Sequence, residues 1–354
     1  YDERGNLIHR LHNGSHAHFT WDLFDRLASY NDDKLKVDYS YDALGRRLHK
    51  HSVAHFWDRP EAGTGWNQLQ RAKRQRELNC GFTLFGWDGD TLAWESSPPL
   101  DEGDSGRTVH YLYEPDSFVP VAQALRNCPI RLHKQPDWSQ REYDFDQDPL
   151  WHTEVKPQPF DVIAWYHCDH LGTPMELTDE QGSVAWTGQY KAWGEVREER
   201  SVWAKQRGLG NPLRFQGQYH DHETGLHYNR YRYYDFRAGR FISEDPSGYS
   251  GGLNLFTYTS DPVNWIDPLG LAKVKEQGTP KQAQRKVEKK QGPSEITRID
   301  GPEISVPNSQ WHAHCKCGSG YNQDGTIHDK GKGDVTFSRK TIEWLNIHGW
   351  KISK

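Results

Sequence analysis

The sequence predicts a mainly β protein, in which a large repetitive β-shell is followed by a small α+β domain. Three observations lead there. Aromatic-Asp phrases recur about every 20 residues near the start. Trp numbers 15 and Tyr 17, against a single Met, with 32 Gly and 19 Pro. That mix suits short strands and tight turns, not helical bundles. The third is a break after Leu271, where aromatics thin out and lysines crowd in.

The repeats come first. YDERGNLIHRL (1–11), FTWDLFDRLASY (19–30) and YSYDALGRRLHKH (39–51) share an aromatic-Asp pair, a short turn and a return to Leu. Alternation around a central turn reads as β-hairpins. Repetition at a fixed period reads as a wound sheet, each unit burying its face on its neighbours. LFGWDGDTLAWE (84–95), VHYLYEPDSFVPVAQ (109–123) and 164–196 keep the strand-turn-strand style. Residues 124–158 read as an irregular loop, and 211–246 return to short strands with Gly turns. His167, Asp169 and His170 lie close together in YHCDHLG, and metal ligands are one use for them. Turn and strand roles are the simpler reading, because Cys168 alternates to the opposite strand face.

No run of about 18 apolar residues exists to span a membrane as a helix, and no signal peptide is visible. The opening YDERGNLIHR, without an initiator Met, reads as a segment of a longer chain. The five cysteines, Cys80, Cys128, Cys168, Cys315 and Cys317, are sparse and odd in number. They predict no disulfide framework and fit a reducing cytoplasm. The net charge of −5 is uneven: residues 272–354 carry 15 Lys/Arg and 9 Asp/Glu, against 29 and 40 in residues 1–271. A basic tail suits an anionic target such as nucleic acid, or is simply a solvated basic surface.

Asp245 and Asp267 stand 22 residues apart in matching Asp-Pro-x-Gly phrases. Two turns explain such phrases. Two carboxylates brought together offer a second explanation. They can share a proton, one activating water while the other protonates a carbonyl.

YDALGRR, DHLGTPMELTDEQG, YKAWGEV, the long phrase RFQGQYHDHETGLHYNRYRYYDFRAGRFISEDP and DPLGL resemble the C-terminal end of Rhs/YD-repeat proteins. The resemblance covers most of residues 1–271. It implies a YD-repeat β-sheet cocoon over 1–244 and a core terminus with an aspartyl autoproteolysis motif over 245–271. It further implies a basic linker over 272–295 and a C-terminal toxin domain over 296–354, enclosed by the shell. By the same resemblance Asp245 and Asp267 are the catalytic pair, and Leu271–Ala272 is the bond cut. Two departures stand out: Asp261 where the family has Asn, and Phe236 where it has Pro. Asp261 reads as a turn residue. Arg230, Arg232, Arg237 and Arg240 lie just upstream, available to the pair's charge or to surface acids.

In the tail, 272–295 is polar and basic and reads as a linker or weak helix. In WHAHCKC, alternation predicts His312, His314 and Lys316 on one strand face, with Cys315 and Cys317 on the other. Asn322-Gln-Asp-Gly is a turn, Ser338 an N-cap for a helix through Ile347, and Gly349 its C-cap. Two imidazoles and a lysine suit RNA cleavage through the 2′-hydroxyl: a base, an acid and a cation for the phosphorane. His328, Lys330 and Lys332 are within reach to join them. This chemistry needs no metal and no cofactor. Zinc is the rival, but the His and Cys pairs face opposite ways. A metal-dependent His-Asn-His nuclease would add His328 and His348.

The phrases over 307–352 resemble small metal-independent ribonuclease toxins of the barnase–EndoU–colicin–RelE type. The resemblances together imply an interbacterial effector with a self-cleaving aspartyl centre and a nuclease warhead. RNA is the expected substrate and DNA the alternative. They imply an acidic cognate immunity protein and a type VI or equivalent secretion apparatus with its spike proteins. The effector would be made in the bacterial cytoplasm and delivered to the target cell's cytoplasm. A non-enzymatic adhesion protein is the remaining reading, and the basic His-rich tail fits it poorly.

Overall fold

The computed structural model describes residues 1–100, 104–152, 158–271, 274–275, 280–302, 309–316, 318–329, 335 and 337–352. The chain divides into two compact units, Tyr1–Lys273 and Val274–Lys354.

Thirteen strands of the first unit, from His9–His12 to Val196–Arg200, form one antiparallel sheet in chain order. The repeated phrases make this meander through one device. Asp42 Oδ1 accepts the backbone N–H groups of Leu44 (2.9 Å) and Arg46 (2.8 Å), and its Oδ2 accepts Arg46 Nε at 2.7 Å. Asp22 clamps Phe24 and Arg26 in the same way. Asp169 and Asp179 do so for the N–H groups two and four residues on. Three residues after each Asp the chain needs positive φ. Gly45 (φ 77°) supplies it in one repeat and Asp25 (φ 57°) in another. The aromatic-Asp phrase is therefore a strand end followed by a side-chain-capped turn.

Burial alternates as predicted in Leu35–Tyr41, where Leu35, Val37 and Tyr39 point inward. The next strand, Arg47–Ala54, inverts the rule: Arg47, Lys50 and Ser52 are buried while Leu48 and Val53 are exposed. The reason is a second, four-stranded sheet formed by Tyr219–Asp221, Leu226–Asn229, Arg232–Asp235 and Arg240–Phe241. Asp221 receives Arg47 Nη1 at 2.6 Å and Lys50 Nζ at 3.0 Å, and Glu223 receives Lys50 Nζ at 2.6 Å. Tyr39 and Tyr219 flank the same cluster. Buried charges persist only when paired in this way. The helix Thr64–Glu77 interrupts the meander and was not expected from the repeats.

In the second unit, strands Ile296–Asp300, His312–Cys315, Gly320–Asn322 and Ile327–His328 form an antiparallel sheet. The helix Arg339–Ile347 follows its expected bounds, with Ser338 Oγ accepting Thr341 N–H and Gly349 at φ 93°. Of the two readings of 272–295, linker or weak helix, part of the segment takes the second, and it joins the core. Residues Pro280–Glu288 form a helix whose Ala283 is fully buried in the core with Ile296, Ile299, Ala313 and Leu345. Val287, four residues on, packs beside it. Two apolar positions at helical spacing suffice, although the segment is polar overall. Cys80, Cys128 and Cys168 are free, and Cys315 is disulfide-bonded. Among the described residues, no helix is long and apolar enough to cross a membrane.

Candidate functional site

Both Asp-Pro-x-Gly phrases are turns, and the turns use only half of each carboxylate. Asp245 Oδ1 accepts Ser247 N–H at 2.8 Å and Ser247 Oγ–H at 2.6 Å. Asp267 Oδ1 accepts the N–H groups of Gly270 (2.9 Å) and Leu271 (3.0 Å). The two Oδ2 atoms then meet one guanidinium nitrogen. Arg232 Nη2 lies 3.0 Å from Asp245 Oδ2 and 3.4 Å from Asp267 Oδ2. All three side chains are nearly sealed from solvent.

Arg232 is itself held. Its Nε donates to Gly270 O, its Nη1 donates to Leu255 O at 2.8 Å, and its guanidinium lies 3.7 Å from the centre of the Phe241 ring. Burial draws its pKa below the ordinary arginine value, while the two aspartates pull the other way. Among the described residues, Arg232 is the one of the four upstream arginines that forms an ion pair with Asp245 and Asp267. Arg230 binds Asp90 at 2.8 Å and Leu44 O at 2.9 Å, and Arg240 donates to Tyr1 OH at 2.5 Å. Arg237 lies over the Phe236 ring. The sequence reading had the carboxylates meeting each other; here they meet across a shared cation. Asp261 accepts Val263 N–H and Asn264 Nδ2–H, closing a local turn.

The bond after Leu271 starts from this centre. Leu271 N–H is on Asp267, and Leu271 O lies 3.2 Å from Ser247 Oγ, the hydroxyl that also reaches Asp245. Gly251 backs the same space. A Cβ there would stand 2.4 Å from Asp245 Oδ2 and 2.8 Å from Leu271 O, so its missing side chain lets carboxylate and carbonyl share one small volume. Ser247 and Gly251 were not singled out from the sequence. Ala272 lies outside the described residues.

The YHCDHLG residues do not gather. His167 Nε2 pairs with Thr178 Oγ1 at 2.9 Å, His170 Nε2 with Val263 O at 3.0 Å, and Asp169 caps its turn.

In the second unit, His312 and His314 share a sheet face as expected, their ring centroids 4.9 Å apart. His328 joins them, at 4.1 Å from His312 and 5.2 Å from His314. Asp300 adds a carboxylate, its Oδ2 3.3 Å from His314 Nε2. Burial, followed by the charge of Arg298, pushes His314 below the usual histidine value. Lys316 is exposed in the turn beyond the strand end at Cys315, so the strand does not carry it into this row. Lys330 and Lys332 lie outside the described residues. His348 is buried elsewhere, Nδ1 on Trp344 O at 2.7 Å and Nε2 3.3 Å from Lys286 Nζ.

The fold and site define a mainly β chain: a repetitive antiparallel meander followed by a buried Arg–Asp–Asp centre. Comparison with known proteins supplies the family. Residues 163–200 match the family model described as RHS protein. Double-stranded DNA deaminase toxin A of Burkholderia cenocepacia is 35% identical over 280 residues, covering 77% of this chain and 17% of its own length. Probable deoxyribonuclease RhsA of Dickeya dadantii is 32% identical over 315 residues, covering 88% of this chain and 19% of its own length. A crystal structure described as TcdB2-TccC3-TEV aligns with a TM-score of 0.48 at 17% identity, over 72% of this chain and 10% of that one. The chain carries an Rhs/YD-repeat polymorphic-toxin region and spans under a fifth of the length of these two curated relatives.

Proposed function

We propose that this chain is the C-terminal part of an Rhs-type interbacterial effector that cuts itself after Leu271 and frees a nuclease tail. The observation that carries the reading is the meeting of Asp245 and Asp267 on Arg232 with Leu271 anchored to both turns. Asp245 lies on the side of the Leu271 carbonyl oxygen and is assigned its protonation. Asp267 is assigned the proton of the attacking water. The water oxygen bonds to the Leu271 carbonyl carbon, the C–N bond to Ala272 breaks, and the freed amine takes a proton. A single intramolecular cut needs positioning more than a substrate pocket.

Gel migration tests this. The wild-type chain resolves into two fragments on a denaturing gel, and Asp267→Asn remains one band. Identical band patterns for the two would reject self-cleavage at this centre.

For the tail, the reading from sequence is metal-independent ribonuclease action, with His312, His314 and His328 as acid and base groups; of its two cations, Lys316 stands outside the histidine row and Lys332 outside the described residues. The lowered pKa of His314 suits a proton acceptor at neutral pH. A second reading, metal-dependent cleavage with DNA as substrate, is favoured by the convergence of three imidazoles and by the relative named a deoxyribonuclease. Freed tail incubated with RNA and with DNA, each with and without chelator, separates them. The effector reading also entails a cognate immunity protein, a secretion apparatus such as a type VI spike, and delivery to the target cell's cytoplasm.

A further inference from the structure

The histidine face of the second unit is ordered more tightly than acid–base chemistry requires. Strand register puts Arg298, His314, Gly320 and His328 in one row, and Asp300, His312 and Asn322 in the next. Residues opposite one another in a sheet point to the same face. Gly320 stands between His314 and His328 and carries no side chain to keep them apart. One ring nitrogen from each of His312, His314 and His328 lies within 4.8 Å of the other two.

The orientation of the rings adds a second observation. His312 Nδ1 faces Gln310 O at 3.0 Å, and only a protonated Nδ1 can donate there. That leaves the lone pair on Nε2. A backbone carbonyl fixing the far nitrogen is the usual outer-shell arrangement of a metal-ligating histidine. His314 is only 2% exposed, and its Nε2 makes no hydrogen bond in the structure. A sealed imidazole nitrogen without a hydrogen-bond partner, beside two other imidazoles, is a polar group that a bound ion would satisfy. Asp300 Oδ2, 3.3 Å from His314 Nε2 and 3.7 Å from His312 Nε2, adds negative charge at the same point.

We propose that His312, His314 and His328 bind a divalent transition-metal ion of the zinc type, with Asp300 as the adjoining carboxylate. Three neutral imidazoles match the preference of zinc for nitrogen donors at about 2.0–2.1 Å in a tetrahedral set. Tetrahedral ligands at that radius stand about 3.4 Å apart, so ring movements on the order of an ångström complete the site. Cys315 contributes nothing here, because with Ala313 it belongs to the opposite, core-facing side and is disulfide-bonded. The third ligand comes instead from a hairpin further along the chain. The inference rests on reading this face as the tail's working centre, and it selects the metal-using form of that reading.

Equilibrium dialysis of the whole chain against zinc, with bound metal counted by atomic emission, tests the site. Wild type is expected to retain one zinc that His314→Ala and His328→Ala each lose or bind at least 100-fold more weakly. His167→Ala, in the first unit, is expected to keep it. Cobalt(II) in place of zinc is expected to give a four-coordinate visible spectrum that His328→Ala abolishes. His328 is only partly buried, and tryptophan fluorescence melting verifies that its variant folds. Equal zinc retention by wild type and both tail variants would overturn the proposal, as would wild type retaining none. Metal counting needs no substrate. A chain that holds one zinc yet cuts no nucleic acid would remove the nuclease reading and keep the site, while chelator-resistant cutting by a metal-free chain would do the reverse.

Discussion

Replacing Gly251 by Ala should slow self-cleavage by about two orders of magnitude while leaving the fold intact. The methyl carbon would stand 2.4 Å from Asp245 Oδ2 and 2.8 Å from Leu271 O. Carbon and oxygen ordinarily approach no closer than about 3.3 Å. The carboxylate must therefore retreat by about 1 Å, and the carbonyl by about half that. A misplacement of about 1 Å at reacting groups costs about 10²-fold in rate. Gly251 does not have a positive φ, so the experiment tests the methyl group and not backbone strain. The assay is cell-free synthesis of the labelled chain, quenched in denaturant at intervals, with the ratio of whole to cut product read on a gel. A thermal melt by circular dichroism verifies the fold. Cleavage of a normally melting Gly251→Ala chain at the wild-type rate would refute the assignment of that space to the reaction.

Two stability predictions follow from the buried polar groups of the first unit. Asp221→Asn leaves Arg47 and Lys50 buried with half their countercharge, and should cost about 3–5 kcal/mol in urea unfolding; a loss below about 1 kcal/mol would mean the cluster is not a linchpin. His220 and His227 are pushed down by burial first, with Arg214 adding to it, His220 to about 3. The unfolded chain then takes up protons that the folded one refuses, so stability is full above about pH 6.5 and falls as the pH drops toward 3. His220 should contribute a loss of about 2 kcal/mol at pH 5, and His227 a further loss of the same sign. Equal urea midpoints at pH 7 and pH 5 would contradict it.

Local chemistry was legible in the sequence and long-range pairing was not. The aromatic-Asp phrases announced their turns because Asp, Gly and the N–H groups they serve lie within four residues of one another. The helix after Ser338 was readable for the same reason. Arg47–Ala54 was not, since its inward polar residues answer Asp221 and Glu223, over 170 residues away. The two aspartates could be paired by phrase, but only the fold chose Arg232 among four arginines. His312 and His314 were paired by alternation and His328 was offered from the neighbouring turn, but only a register two strands wide sets it beside them. The helix Pro280–Glu288 was offered by the sequence, but its place in the core was not, because only Ala283 and Val287 among its polar residues mark the buried side.

The anchoring of Leu271 has one more consequence. Its amide is tied to Asp267 and the preceding carbonyl, of Gly270, to Arg232. A cut after Leu271 would leave a new terminal carboxylate still tethered between the Asp245 and Asp267 turns, one residue beyond the carbonyl that Arg232 holds. The centre would then be stoppered by its own product. Such a device works as a fuse: it records one event, cannot act on a neighbouring chain, and has no route back to the intact state.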